Sequence, residues 1–420
     1  MEKLCYGCFK EYSDTNKQCP FCGYDNTVDK EHYPMRLQNG VILKKHYQLG
    51  KVLGQGSAGI VYLAQETVTK QFVAIREFFP SNLVTRRKNG TVDVISDDKR
   101  DDFNQGKTLF LQDVAKILPL KNKNLAMVRE LFEEYGTAYY AMEYISGSDL
   151  NDYIQDHEGR LTVDTALKIA FPVMSALKAM HSSGLIHRNV SPDTIYITED
   201  KEVKLLAYSA TRYNIGNSTK TLDVVLTDGF APIEQYSRHL KCGAYTDVYA
   251  LCATIYYLIT GKKPYDALNR MQEDLLVPPS ALGTSIEGHR EKALMQGLAL
   301  KPQDRYQTIA ELQRELVANP GDNPVSGTRS IPTEQERNLD NDSENTIEII
   351  LQRMTESAEA RRKTALILSL VFGIILSLGW AIELYLFEFK KETREKNAVT
   401  VSIEDVNRAE ESPLADMEFR

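Results

Sequence analysis

The chain has 420 residues, with 50 Lys and Arg against 58 Asp and Glu, giving a formal net charge of −8. Charged residues make up 26% and the hydrophobic set 42%, an ordinary globular composition that excludes collagenous, wholly disordered and multi-span membrane architectures. The mild acidity argues against nucleic acid as the main partner, and four of only six cysteines fall within the first 22 residues, which excludes a disulfide-stapled secreted scaffold.

Those four thiols come first in chain order. Cys5-x-x-Cys8 and Cys19-x-x-Cys22 are two knuckles separated by ten residues, a spacing that lets four thiolates converge on one Zn²⁺. Two disulfides or an iron site are the alternatives at this stage. Residues 1–30 hold almost no apolar core, so metal would supply the folding free energy, in a structural role that leaves no open coordination position. The second knuckle reads CPFCGYD, similar to a zinc ribbon. Cys242 and Cys252 stand in apolar surroundings and read as buried small hydrophobes.

From about residue 44 to 318 the pattern is first strand-like and then helical. Strands are predicted over 47–54, 60–66 and 72–79, a helix near 103–118, and two more strands over 127–132 and 137–144. Ala166, Ile169, Ala170, Val173, Leu177 and Met180 then carry the stripe of a buried helix. A small sheet lobe therefore precedes a helical lobe, an α+β arrangement. Gly54-Gln-Gly56-Ser-Ala-Gly59 lies between two strands, where glycines let backbone amides approach phosphate oxygens. The same spacing serves dinucleotide folds only between a strand and a helix, and here a strand follows.

Seven motifs then appear in order: the glycine loop, VAIR at 73–76, HRNVSPDTI at 187–195, KLLAYSA at 204–210, GFAPIEQYS at 229–237, TDVYALCATIYYLITGKKPY at 246–265 and KPQDRYQT at 301–308. With them the chain resembles the eukaryotic-type protein kinase fold, most closely the bacterial serine/threonine kinases. The resemblance implies that Gly54, Gly56, Gly59, Val61, Ala74 and the hinge backbone at Glu143 and Ile145 form an ATP cradle. It also implies that Glu234 and Arg305 pair to tie the activation segment to the last helices, and that Asp247 braces the catalytic loop.

The charged positions of phosphoryl transfer depart from the pattern. Where the resemblance calls for a phosphate-binding lysine the chain has Arg76, and the partner glutamate aligns with Asp113, one carbon shorter. The position of the aspartate that orients the substrate hydroxyl holds Asn189, the magnesium-binding asparagine aligns with Thr194, and the aspartate of the DFG triplet aligns with Ala207. A shifted metal site would have to recruit Asp193, Glu199 or Asp200. The expectation is a pseudokinase that holds nucleotide weakly, without magnesium, on Arg76 and loop amides, and that works by binding a protein partner such as an active kinase or a membrane assembly. An unorthodox kinase transferring phosphate from ATP is the first alternative, and a zinc-ribbon adaptor the second.

Beyond this region, residues 319–345 are rich in Pro, Gly, Asn and charge and read as a flexible tether. Residues 346–363 have apolar positions at helical spacing, predicting a juxtamembrane helix. Thr364 to Ile382 is a run of 19 uncharged residues, long enough to cross a hydrocarbon core of about 30 Å, and the span is read as 364–386. A long core helix is its alternative. Residues 387–420 form a short charged tail. No apolar signal follows the N-terminus, and reduced thiolates need a reducing compartment, so the ribbon and kinase-like region are expected on the cytoplasmic side of the cell membrane.

Overall fold

The structure, a computed structural model, describes residues 2–56, 58–206, 226–236 and 240–318. Ala207, the tether, the juxtamembrane helix, the span and the tail lie outside these residues. Among the described residues no helix is long and apolar enough to cross a membrane.

The N-terminal ribbon is a hairpin of β1 (Glu2–Leu4) and β2 (Glu11–Ser13) followed by α1 (Val28–His32). Its own core is only Cys5, Tyr12 and Cys19, with Cys8 and Tyr24 packed against them. The Asn26 amide holds the ribbon from inside: its Nδ2 donates to the Leu4 carbonyl at 2.9 Å and its Oδ1 accepts from the Tyr6 amide at 3.0 Å.

A six-stranded antiparallel sheet follows, built from β3 (Ile42–Leu43), β4 (Tyr47–Gly56), β5 (Gly59–Glu66), β6 (Phe72–Phe78), β9 (Val128–Glu134) and β10 (Thr137–Glu143) in the order β3-β4-β5-β6-β10-β9. Between β6 and the helix α2 (Arg100–Ile117) the chain inserts a second hairpin, β7 (Val84–Arg86) and β8 (Val92–Val94). Helix α2 buries Phe103, Phe110, Val114 and Ile117. Phe78 stacks on Phe103 with ring centroids 5.7 Å apart and lies 5.4 Å from Phe110, so this face of the sheet closes on aromatic packing.

The other face is covered as well. Glu77, fully buried, receives the Tyr139 hydroxyl at 2.6 Å, the Tyr62 hydroxyl at 2.7 Å and an Arg86 guanidinium nitrogen at 2.6 Å. Arg86 comes from β7 and also donates to the Met35 carbonyl, while the Leu37 amide donates to Tyr62. Burial, reinforced by the Glu77 charge, pushes both tyrosine hydroxyls well above their ordinary range, so they act only as donors. A buried carboxylate with every oxygen engaged is tolerable where an unpaired one would not be.

The helical lobe starts with β11 (Gly147–Asp149) and α3 (Leu150–Gln155), whose first turn is capped by the Asp149 carboxylate accepting from the Asn151 and Asp152 amides. The long helix α4 (Val163–Ser182) buries the predicted stripe, with its start capped by the Thr162 hydroxyl. Strands β12 (Ile195–Thr198) and β13 (Val203–Leu205) join β11 in a three-stranded sheet. Helix α5 (Ala244–Thr260) is apolar on nearly all sides and therefore central, with α6 (Ala267–Gln272), α7 (Gly288–Gly297) and α8 (Ile309–Val317) completing the lobe. Cys252 on α5 is fully buried, as read from its surroundings, whereas Cys242 is only half-buried because it lies in the loop before that helix.

Candidate functional site

The cleft is built from the sheet lobe downwards. In β6 the side chains alternate, so Ala74 and Arg76 share one face and Glu77 takes the other. Arg76 lies opposite Val61 of β5 and Tyr140 of β10 and is 7% exposed. Gly59 closes the glycine loop directly above it: a β-carbon there would stand 2.3 Å from the Glu77 carbonyl oxygen and 3.7 Å from Arg76 Nε. Any side chain at 59 would push the loop off the strand. Gly56 pairs with Gly59 across the turn, and the Phe79 amide ties the loop tip through the Ala58 carbonyl at 3.1 Å. Gly54 has open space around it.

Asp113 is half-buried on α2, and both it and Arg76 are engaged in polar interactions. Below the sheet, Ala74 and Met142 are buried and Ile145 is 8% exposed, forming an apolar floor beside the half-buried Val61. The Glu143 side chain points away from this floor to Lys204 Nζ at 2.9 Å, leaving its backbone to the cleft rim.

The catalytic-loop segment is held by one carboxylate. Asp247, fully buried at the start of α5, accepts from the backbone amides of His187 at 2.8 Å and Arg188 at 2.7 Å and faces His181 Nε2 at 2.7 Å. His187 is wholly buried with its Nε2 2.8 Å from the Leu206 carbonyl, and burial holds its ring below the usual imidazole range. Arg188 adopts the left-handed conformation at φ 64°, and among the described residues its Nε has no partner.

Asn189 occupies the position that the resemblance assigns to a general base. Its side-chain oxygen accepts the Thr227 hydroxyl at 3.0 Å. An amide oxygen there accepts hydrogen bonds but has negligible basicity for taking a proton. Thr194 is 4% exposed, with its hydroxyl donating to the carbonyls of Asn189 and Ser191 at 2.9 and 3.0 Å, so it stiffens the loop from within.

The candidate replacement carboxylates all lie exposed at the surface of the helical lobe. Asp193 accepts from Asn151 of α3 at 2.6 Å, Glu199 accepts from Ser146 at 2.6 Å, and Asp200 sits exposed in the β12–β13 turn. Farther down, Glu234 and Arg305 form a fully buried ion pair at 2.8 and 3.2 Å, with Thr246 also donating to Glu234.

The second candidate site is the thiol cluster. All four Sγ atoms lie within 4.8 Å of one another, with Cys5 and Cys22 at 3.5 Å and Cys8 and Cys19 at 3.7 Å. None forms a disulfide. Tetrahedral zinc with Zn–S bonds of about 2.3 Å has sulfur–sulfur edges of about 3.8 Å, so the donor set and its spacing fit the ion. The Gly7 amide donates to Cys5 Sγ at 3.3 Å, the kind of outer hydrogen bond that orients a thiolate ligand. Without metal, burial pushes the Cys5 thiol up to about 12, so capture of an ion must displace its proton.

Sequence motifs located these residues but gave no signal for three that contact or brace them. Glu77, next to Arg76, was outside the VAIR motif; Thr227, before the GFAPIE run, gave no signal of its own. Asp29 accepts the Val52 amide of β4 at 2.7 Å, a fold-level approach that no local pattern encodes.

A family profile described as a protein kinase domain matches residues 47–366. A probable serine/threonine-protein kinase of Clostridium perfringens is 28% identical over 293 residues, which cover 66% of this chain and 38% of that protein. The serine/threonine-protein kinase PknB of Mycobacterium tuberculosis is 28% identical over 292 residues, covering 66% of this chain and 43% of its own length. The chain thus spans about two fifths of the length of these curated relatives. Among solved structures, PpkA-294 in its apo form is similar with a TM-score of 0.59 and 30% identity, over 67% of this chain and 99% of that one. The profile covers well over half of the chain, and the two-lobed fold carries its motifs in order: the chain belongs to the protein kinase domain family.

Proposed function

We propose that this chain is a membrane-tethered pseudokinase, a signalling or scaffold module that works by binding protein partners rather than by transferring phosphate. The observation that carries the proposal is the occupation of the base position by Asn189, whose side-chain oxygen is taken by Thr227, while Asp193 and Glu199 are bonded to Asn151 and Ser146. Phosphoryl transfer depends on carboxylates that steer divalent ions and orient the hydroxyl. Arg76 and the loop amides remain as anion donors, so nucleotide binds weakly and without magnesium. Zinc in the ribbon is structural.

The test incubates the full-length chain with labelled ATP and magnesium or manganese, and titrates ATP with and without metal. No phosphate incorporation and a metal-indifferent affinity are expected. Incorporation that is lost on Arg76→Ala would overturn the reading. It would establish instead the second reading, an atypical serine/threonine kinase, which the names of the relatives favour.

The tether rests on the uncharged run from Thr364 to Ile382, with the ribbon and kinase domain on the cytoplasmic side.

A further inference from the structure

The ribbon meets the kinase lobe at the strand that feeds the glycine loop. Strand β4 is irregular there: its register against β5 shifts between Leu49 and Val52 and again between Val52 and Gly54. The amides freed by the shift bond to the ribbon. Lys51 donates to the Tyr6 carbonyl at 2.8 Å, and Val52 donates to the Asp29 carboxylate at 2.7 Å, which also accepts the Tyr24 hydroxyl at 2.6 Å. Tyr6 lies inside the first knuckle, between Cys5 and Cys8.

Phe9 makes the second contact. It is held in the left-handed conformation at φ 56°, a strained backbone for a phenylalanine, with its amide on the Cys5 carbonyl at 2.7 Å. Its ring packs on Gly50, where a β-carbon would stand 2.3 Å from the Tyr6 carbonyl oxygen and 2.8 Å from the ring. The ring also lies 5.9 Å from Phe72, which is 6.0 Å from Tyr144 in the hinge. The ribbon thus touches the strand that feeds the glycine loop and, through Phe72, lies one ring away from the hinge.

From this geometry we infer that the zinc-loaded knuckle is a clasp that fixes the glycine-loop strand, so that metal loss from the ribbon loosens the cleft. The ribbon has too small an apolar core to keep Tyr6, Phe9 and Asp29 in place by packing alone. When the four thiols lose their common ion, the acceptor at Tyr6 and the strained turn at Phe9 lose their support, and the Lys51 and Val52 amides open to water. The sensitivity of the nucleotide site rests on the cleft proposed above, but the joint itself does not.

Hydrogen exchange on the full-length chain, zinc-loaded and after chelation, reads the joint directly, with ATP titrated in parallel. Each of the two clasping bonds is worth a factor of about five, so chelation should speed exchange at residues 47–56 by about tenfold or more and weaken ATP in the same direction. Gly50→Ala, which drives the knuckle off the strand without touching a ligand, should show fast exchange with zinc still bound by metal analysis. Asp29→Ala provides the same reading should Gly50→Ala fail to fold. Chelation that speeds exchange in residues 2–26 while leaving 47–56 unchanged would overturn the inference. If 47–56 loosens but ATP binds in neither state, the clasp stands and the nucleotide reading falls.

Discussion

Asp247 shows how much of a lobe can depend on one side chain: a single fully buried carboxylate accepts two successive backbone amides and faces a histidine. Glu234 and Arg305 do the same for the segment after the cleft, and because both are fully buried, removing one leaves the other uncompensated. Arg305→Met should therefore cost about 3–5 kcal/mol, measured by urea denaturation, whereas replacing both partners by apolar residues should cost distinctly less. His187 gives a pH signature. Its folded value lies below its unfolded one, so the unfolded chain binds the extra proton: stability is full above the ordinary imidazole value and falls as pH drops through it toward the lowered one. Denaturation midpoints between about pH 7.5 and about pH 5.5 should show this slope, and His187→Gln should flatten it. Restoring Asn189→Asp, Thr194→Asn and Ala207→Asp together, with Arg76→Lys, should make ATP binding magnesium-dependent, read as a metal-dependent thermal shift.

The hairpin β7–β8 delivers Arg86 to Glu77 beneath a cover of residues 35–37. Arg86→Leu should destabilise the chain by about 3 kcal/mol, and adding Glu77→Gln should recover part of the loss by removing the stranded charge; a double-mutant cycle on unfolding midpoints checks this. Elements with strong periodicity were legible in the sequence. Strands β4, β5, β6, β9 and β10 and helices α2 and α4 fall within a few residues of where alternation or the helical stripe places them. The hairpin was not, since strands of three residues are too short to show alternation. The positions of Arg76, Asn189 and Thr194 were legible because they sit inside motifs. What Asn189 and Asp193 bond to was not, because Thr227 and Asn151 approach from 38 and 42 residues away and no local pattern records that.

At the scale of the molecule, the ribbon and the kinase body fall within one compact unit. The anchoring proposed from the run at Thr364 to Ile382 predicts that a chain stopped after Lys363 moves from the membrane to the soluble fraction on centrifugation, while the full chain resists alkaline extraction. The ribbon's grip on β4 has a further consequence for any shortened form of the protein. Cutting away residues 1–40 would strip the partners from Lys51 and Val52 and bare a strand edge, a ready template for pairing with another chain. A kinase body prepared that way should self-associate at concentrations where the intact protein sediments as a discrete species.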